Sequence, residues 1–296
     1  MSERDGYIAG VPCWIDTTQP DPEAAASFYE GLFGWEFEDV MPPGSPGTYL
    51  VARIRDGDVA AVAPLPDGSP PQATWNTYVM VDSADEVATD IVDAGGRISI
   101  GPVDVMDAGR TANCADPEGA AFSIWEAGRH QGARIINEHG ALNFNGLHTR
   151  DVEAASRFYG AVFGWRLLDL GAGVEMWTLP GYGAHLERDQ PGLRQRLVAM
   201  GVQAEFADVV ASISRIPEDQ PDVRAYWDVT FAVDDADAIA ERAAGLGARV
   251  LVPPVDAPWV RLTVIEDPQG ATFIASKFVP ENRDLTNAEN APASAA

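Results

Sequence analysis

One motif decides the organisation of this chain: residues 28–35 read FYEGLFGW, and residues 158–165 repeat it as FYGAVFGW. An Asp stands seven residues upstream of each copy, at Asp21 and Asp151, and an Ala-rich run follows it. Asp is a favoured helix N-cap, and Gly favours the left-handed backbone that ends a helix. Each copy therefore predicts a helix that begins after its Asp and ends near the Gly of its FGW sequence.

A second pair of repeats is interleaved with the first. The sequences VMVD at 79–82 and FAVD at 231–234 each open a predicted helix, and each helix is followed by an Asp-Pro-x-Gly turn that leads into a final strand. The predicted helices are Ala84–Ala94 and Ala236–Leu246, and the turns are Asp116–Gly119 and Asp267–Gly270. Strand candidates also precede the two FGW helices. The chain therefore reads as four β-α-β-β-β modules, at residues 8–66, 73–127, 140–214 and 225–278.

Taken in chain order, the modules predict a first domain at residues 8–127 and a second at 140–278. The second half is longer by about 22 residues, because the spacing between equivalent positions grows along the chain. The extra residues fall at about 181–206, where residues 186–200 have helical character. The segment 280–296 is rich in Asn, Ala and Pro, and we expect it to be a disordered tail.

Composition excludes several classes of function. The chain has 296 residues, with 20 basic against 45 acidic side chains and a net charge of −25, which disfavours binding to nucleic acid or to an anionic membrane surface. No apolar run approaches a membrane span, and the first residues lack the pattern of a signal peptide. The two cysteines cannot form a disulfide framework. These features predict a cytoplasmic protein.

The interleaved repeats resemble the vicinal oxygen chelate superfamily, which includes glyoxalase I, extradiol dioxygenases, fosfomycin-resistance enzymes and bleomycin-resistance proteins. The FGW repeats, their Asp caps and the Asp-Pro-x-Gly turns carry the resemblance, which covers about residues 8–278. It implies an α+β fold in which two modules form a U-shaped mixed sheet around one cleft, so four modules imply two such sheets. The chain is also similar to tandem-module actinobacterial members that carry glyoxalase-like or hydroxylase names.

The same resemblance identifies the positions where a metal would be held. Metal-using members take His, Gln or Glu ligands from the first and last strands of paired modules. The matching positions here are Trp14, Asn76 and Ser123 in the first half and Phe144, Asp228 and Ile274 in the second. A transition metal needs about three protein ligands, which neither set supplies. We therefore expect two clefts without the family metal and no other cofactor, which argues against glyoxalase or dioxygenase activity.

Side chains two apart on a strand share a face, and this rule extends both clefts. It places His148 on the same face as Phe144, where His148 and Asp228 predict a general acid–base pair. The alternative is a hydrogen-bonded strand His, with an Asp that caps a helix or pairs with an Arg. The remaining ligand-binding candidates in the clefts are Trp14, Asp16, Asn76, Tyr78, Ser123 and Trp125 in the first half, and Phe144 and Thr230 in the second.

Three further candidate positions lie outside these strands. Tyr182 and His185 in the inserted segment predict either a lid over the second cleft or a surface helix that braces the module junction. Arg261 and its counterpart Arg110 stand six residues before their Asp-Pro turns, which predicts salt bridges within the modules or anion recognition in the clefts. Trp259 has only Ala as its counterpart, which favours the second half as the ligand site.

These observations lead to one main hypothesis and two alternatives. The main hypothesis is a metal-independent protein that binds a planar or aromatic small molecule. It either sequesters that molecule, as the resemblance to bleomycin-resistance proteins implies, or acts on it in natural-product metabolism. The alternatives are a metal-dependent glyoxalase, lyase or dioxygenase, and a structural protein whose clefts are filled by their own side chains. A homodimer is a further expectation.

Overall fold

The computed structural model describes residues 3–66, 68, 72–171 and 173–285. Within these ranges the chain forms sixteen strands, six α-helices and two short 3-10 helices. The first half contains β1 Pro12–Gln19, α1 Pro22–Phe33, β2 Glu36–Asp39, β3 Leu50–Ile54, β4 Gly57–Pro64, β5 Thr74–Val81, α2 Ala84–Asp93, β6 Arg97–Val105, β7 Gly109–Ala115 and β8 Ala121–Ala127.

The second half repeats this order with an insertion. It contains β9 Leu142–Thr149, α3 Val152–Phe163, β10 Arg166–Asp169, β11 Glu175–Thr178, α4 Tyr182–Asp189, α5 Leu193–Ala199, a 3-10 helix Ala204–Asp208, β12 Val209–Arg215, β13 Tyr226–Ala232, α6 Ala236–Gly245, β14 Arg249–Ala257, β15 Val260–Glu266, β16 Thr272–Phe278 and a 3-10 helix Pro280–Asp284. The inserted segment thus forms two α-helices rather than one, interrupted at Pro191 and Gly192. Residues 280–284, expected to be disordered, form a helical turn, and 286–296 lie outside the described residues.

Each half folds into one eight-stranded mixed sheet, which confirms the predicted α+β fold. The strand orders are β2-β3-β4-β1-β5-β8-β7-β6 and β10-β11-β12-β9-β13-β16-β15-β14. In each sheet the two modules meet at a central antiparallel pair, β1 with β5 and β9 with β13. The register of this pair sets which side chains face each other in each cleft.

The helix signals of the FGW repeats act as predicted. The Asp21 side chain accepts a hydrogen bond from the backbone N–H of Ala24, and α1 ends at Gly34 with φ 72°. Asp151 caps α3 in the same way through Ala154, and that helix ends at Gly164 with φ 73°. Both ends therefore use the cap residues that their backbone conformations favour. Among the described residues, no helix is long and apolar enough to cross a membrane.

The two repeat motifs meet across the halves of the chain. Tyr29 Oη donates to Asp267 Oδ2 at 2.9 Å, and Tyr159 Oη donates to Asp116 Oδ2 at 3.1 Å. The other carboxylate oxygen of each Asp accepts backbone N–H groups of its own Asp-Pro turn. Helices α1 and α6 accordingly share one core, while α2 and α3 share the other. The paired motifs therefore hold the two sheets together on the faces that pack against the helices, and we call the opposite face of each sheet its cleft.

Candidate functional site

A buried carboxylate lies at the floor of the first cleft. Asp16 on β1 is only 3% exposed, and it stands directly opposite Asn76 on β5. Its Oδ2 accepts hydrogen bonds from Tyr49 Oη at 3.0 Å and Tyr78 Oη at 2.8 Å, while its Oδ1 accepts from Asn76 Nδ2 at 2.8 Å. Burial raises the pKa of the Asp16 carboxyl, and the three hydrogen bonds oppose that shift. All three donors come from this chain, so the carboxylate is satisfied without a ligand.

Aromatic side chains fill the rest of the first cleft. Trp14 Nε1 donates to Tyr49 Oη at 3.0 Å. The His130 ring makes edge contacts with Trp14 and Trp125, at centroid distances of 4.4 and 5.8 Å, and its carbonyl oxygen accepts from Trp125 Nε1. A buried cluster that includes Trp14 and Trp125 occupies this face. The structural alternative of a cleft filled by its own side chains therefore describes the first cleft.

The second cleft contains the pair that the sequence singled out. His148 Nε2 lies 2.6 Å from Asp228 Oδ2, and their side chains remain 18% and 13% exposed. The imidazole stacks on the Tyr226 ring at a centroid distance of 4.4 Å and an interplanar angle of 2°. Tyr226 is the direct cross-strand partner of His148. The backbone register thus fixes both the carboxylate and the aromatic face against which the imidazole lies.

Gly146 makes room for Asp228. The two residues are cross-strand partners. A Cβ added at Gly146 would lie 2.5 Å from Asp228 Oδ1 and 2.7 Å from Ser212 Oγ. Asp228 Oδ1 itself is buried without a hydrogen-bond partner. Any larger residue at 146 would therefore displace the carboxylate that holds His148.

This geometry defines what the pair is able to do. A neutral His148 that donates Nε2–H to Asp228 presents its Nδ1 lone pair as an acceptor. No hydrogen bond within the described residues engages Nδ1. If Nδ1 takes up a proton, the carboxylate at 2.6 Å stabilises the resulting imidazolium. The pair therefore has the arrangement of an oriented general base.

Side chains on the cleft face of the second sheet remain partly exposed. Where the first half has Tyr78 and Met80 on β5, the second has Thr230 and Ala232 on β13. Where Met80 pairs with Trp125, Ala232 pairs with Ser276. Thr230 and Phe144 are cross-strand partners in this cleft and both are half-buried, as is Ile274. Ser123, the first-half counterpart of Ile274, is buried.

Two of the remaining sequence candidates, Tyr182 and His185, belong to the inserted helix α4. Tyr182 is buried and lines a cavity of about 220 Å³ under the inserted helices. Phe144 also lines it and makes an edge contact with Phe206. His185 does not line this cavity, and its ring contacts Arg188 and Tyr182. The inserted segment therefore covers one end of the cleft through Tyr182 rather than His185.

Arg261 and Trp259 lie outside both clefts. Arg261 pairs with Asp237 and Asp256, just as Arg110 pairs with Asp85 and Asp104. The symmetry that the sequence showed thus corresponds to equivalent surface ion pairs. Trp259 has φ 69° in the turn between β14 and β15, and its ring stacks on that of Phe278.

Sequence reasoning missed Tyr226, Tyr49 and His130, which shape the clefts. Tyr226 lies two residues before Asp228, so the alternation that selected Thr230 would have found it if applied in the opposite direction. Tyr49 carried no such signal, because it reaches Asp16 from just before β3 through the tertiary fold.

A family profile described as the Glyoxalase/Bleomycin resistance protein/Dioxygenase superfamily matches residues 14–124 and 141–274. The chain belongs to this superfamily. It is 37% identical over 290 residues to a Mycobacterium tuberculosis protein named "Putative glyoxylase CFP32", covering 95% of this chain and 100% of that protein. It is 34% identical over 280 residues to the Streptomyces peucetius protein named "Anthracycline biosynthesis protein DnrV", covering 90% of this chain and 93% of that one.

Solved structures of the superfamily have the same fold at low sequence identity. The Mn(II)-bound glyoxalase from Novosphingobium aromaticivorans aligns with a TM-score of 0.57 and 14% identity, covering 91% of this chain and 82% of that one. The 2,3-dioxygenase LapB from Pseudomonas sp. KL28 aligns with a TM-score of 0.58 and 11% identity, covering 92% and 93%. At these identities the likeness shows the fold alone.

The side chains at the superfamily's metal positions do not fit a metal ion. The Trp14 and Asn76 nitrogens donate hydrogen bonds inside the first cleft, where they have no lone pair to offer an ion. In the second cleft Asp228 is bonded to His148, and the other two positions are Phe144 and Ile274. No group of three His, Cys, Asp or Glu side chains with metal-binding geometry occurs in the part of the chain that the structure describes. Three ligands of the usual kind are therefore not assembled.

Proposed function

We propose that this chain binds a planar, aromatic small molecule in its second cleft without a metal ion, and that His148 transfers a proton of that molecule. The observation that carries the proposal is the partly exposed His148–Asp228 pair at 2.6 Å, with the imidazole flat against Tyr226. The first cleft offers nothing equivalent, because Thr18 stands at the position of His148 and the carboxylate there is buried.

The reaction class that best suits this pair is an isomerisation. His148 Nδ1 takes a proton from an acidic C–H or O–H bond of the ligand, and the electron pair of that bond stays on the ligand as an enolate or phenolate. Asp228 stabilises the imidazolium, which then returns the proton to a different ligand atom. Such a step requires no oxidant and no co-reactant, so atoms and electrons balance within the ligand. The half-buried Phe144 and Tyr226 provide apolar surface for a flat ring system.

The relatives support this choice of substrate class. The support comes from the Streptomyces peucetius relative, which carries a name from anthracycline biosynthesis, a part of natural-product metabolism. Metal-bound glyoxalases share the fold, but the donor set of this chain differs from a metal site at its matching positions. Both modules of the cleft come from one chain, so a single copy suffices for the proposed activity.

The test combines ligand binding with turnover. Aromatic metabolites are screened by quenching of tryptophan fluorescence, and each binder is then followed by NMR in deuterated water for exchange or migration of a proton. We expect His148→Asn and Asp228→Asn to lower exchange by about 100-fold or more while binding changes little. His139→Asn, which alters a half-buried His outside the cleft, serves as the matched control. Exchange that survives in His148→Asn would overturn the proton-transfer role, and binding without exchange in the native protein would indicate sequestration.

Metal independence has its own measurement. Protein purified without chelator or affinity metal is analysed for transition metals, and the exchange assay is repeated after incubation with Mn, Fe, Ni or Zn. We expect less than about 0.1 equivalent of metal and no gain in activity. Near-stoichiometric metal, or activity that appears only with metal, would contradict the proposal.

A further inference from the structure

The inserted segment, which the first half lacks, lines a cavity. The cavity has a volume of about 220 Å³ and lies between the N-terminal segment, strands β9 and β12, and helices α4 and α5. Its lining combines apolar side chains from all of these elements with polar ones. The apolar side chains include Tyr7, Phe144, Leu186, Leu193 and Val210, and the polar ones are Arg4, Asn137, Asn143, Asn145 and Gln190. His148, Asp228 and Tyr226 do not line it. We call it the insert cavity.

A second, polar cavity lies beside it. This cavity has a volume of about 270 Å³ and is lined by Arg4, Arg129 and Arg134 together with His130, Asp5 and Asp58. Asp58 is paired with Arg53 at 2.7 Å, and Arg129 with Asp107 at 2.8 Å. Three arginines around one cavity stand out in a chain of net charge −25. We call it the arginine cavity.

Arg4 lines both cavities. Its guanidinium carbon lies 6.0 Å from the centroid of the buried Tyr182 ring, and its Nε is buried without a hydrogen-bond partner. No carboxylate of the described residues pairs with it, although the chain has 45 acidic side chains. A partly buried guanidinium without an anion is unfavourable, and an anion brought by a ligand would remove that penalty.

We propose that the two cavities form one binding site for an amphiphilic organic anion. The apolar body of the ligand lies in the insert cavity, and its carboxylate lies at Arg4 and faces the arginine cavity. A cavity of about 150 Å³ holds a benzene molecule, so the insert cavity takes one or two fused rings or a chain of comparable volume. The site is separate from the proposed acid–base cleft, with which it shares Phe144.

The test compares two probes of the same shape, 2-naphthoate and uncharged 2-naphthamide, by isothermal titration calorimetry. We expect the native protein to bind naphthoate at least tenfold more tightly than naphthamide. Arg4→Met should remove that preference, and Leu193→Trp should abolish binding of both probes by filling the cavity. Matched controls on α5 are Arg196→Met and Val198→Trp, which alter exposed side chains that line neither cavity and should bind like the native protein.

Several outcomes would overturn the proposal. Equal affinity for the two probes, or a preference that survives in Arg4→Met, would show that Arg4 holds no carboxylate. Inorganic phosphate binding as tightly as naphthoate would show a site for small ions only. Naphthoate binding that is lost in Thr230→Trp, which fills the acid–base cleft at a residue that lines neither cavity, would place the probe in that cleft and reject the second site without touching the proposed function. Naphthoate binding retained in Thr230→Trp but lost in Leu193→Trp supports two separate sites.

Discussion

The two clefts are built on the same strand register but place their carboxylate on opposite strands. In the first half Asp16 on β1 faces Asn76 on β5, and in the second half Gly146 on β9 faces Asp228 on β13. Asp16 is enclosed by Tyr49, Tyr78 and Asn76, whereas Asp228 holds the partly exposed His148. The two clefts thus differ in the strand that carries the carboxylate and in its partners: Asp16 is enclosed by side chains of its own cleft, whereas Asp228 holds a partly exposed imidazole.

The largest effect on stability is expected when the second cleft is given a carboxylate on β9, at the position that Asp16 occupies on β1. Gly146→Asp places a side chain where even a Cβ lies 2.5 Å from Asp228 Oδ1, and it adds a second carboxylate beside the first. We expect the free energy of unfolding to fall by about 3 kcal/mol or more, measured by urea denaturation. The double variant Gly146→Asp/Asp228→Asn restores the pairing of the first half and should recover about 1 kcal/mol or more of that loss. If the double variant is no more stable than Gly146→Asp, strand register alone does not determine which of the two strands can carry the carboxylate.

A second comparison concerns the tyrosines that join the two halves. Tyr159→Phe leaves both Asp116 Oδ2 and the Trp227 N–H without their partner, because Trp227 Nε1 donates to Tyr159 Oη at 3.0 Å. Tyr29→Phe removes one of two donors to Asp267 Oδ2, since Gln19 Nε2 remains at 2.8 Å. We expect losses of about 2–3 kcal/mol for Tyr159→Phe and about 1–2 kcal/mol for Tyr29→Phe in urea unfolding. Equal losses would show that the hydrogen bond from Trp227 to Tyr159 does not contribute measurably to the free energy of unfolding.

The role of these tyrosines also shows what the sequence was able to predict. The FGW helices, their caps and the module order followed from local signals, because Asp and Gly act within one helical turn. The sequence also placed His148 and Asp228 together, since strand alternation carries that information. It did not reveal that Tyr29 and Asp267, which are 238 positions apart, bond across the halves. Nor did it show that the first cleft is filled, which depends on Tyr49 and His130 arriving from outside the paired strands.

The buried Asp16 of the first cleft should make the free energy of unfolding depend on pH. Burial raises the pKa of Asp16 above its value in the unfolded chain, so the folded state favours the protonated form. The stabilisation from this preference is fully present below the unfolded pKa, near 3.8, and is lost as the pH rises toward the folded pKa. Asp16→Asn lacks this dependence. We therefore expect the variant to gain stability relative to the native protein as the pH rises from about 4 to 7, measured by urea unfolding across that range. A pH-independent difference would mean that the hydrogen bonds fully offset burial.

The smallest effect is expected for the arginines that are equivalent in the two halves. Arg110 and Arg261 make matching ion pairs with exposed carboxylates, and such pairs contribute little because solvent screens them. We expect Arg110→Met and Arg261→Met to leave urea unfolding unchanged within error and to bind aromatic ligands like the native protein. The comparison remains informative because the sequence also allowed anion recognition at Arg261. Weaker binding of an anionic ligand by Arg261→Met, with Arg110→Met unaffected, would mean that Arg261 takes part in ligand binding in addition to its ion pairs with Asp237 and Asp256. If the two variants bind the ligand equally well, Arg261 takes no part in ligand binding. Ligand recognition in the second cleft then depends on the side chains of β9 and β13.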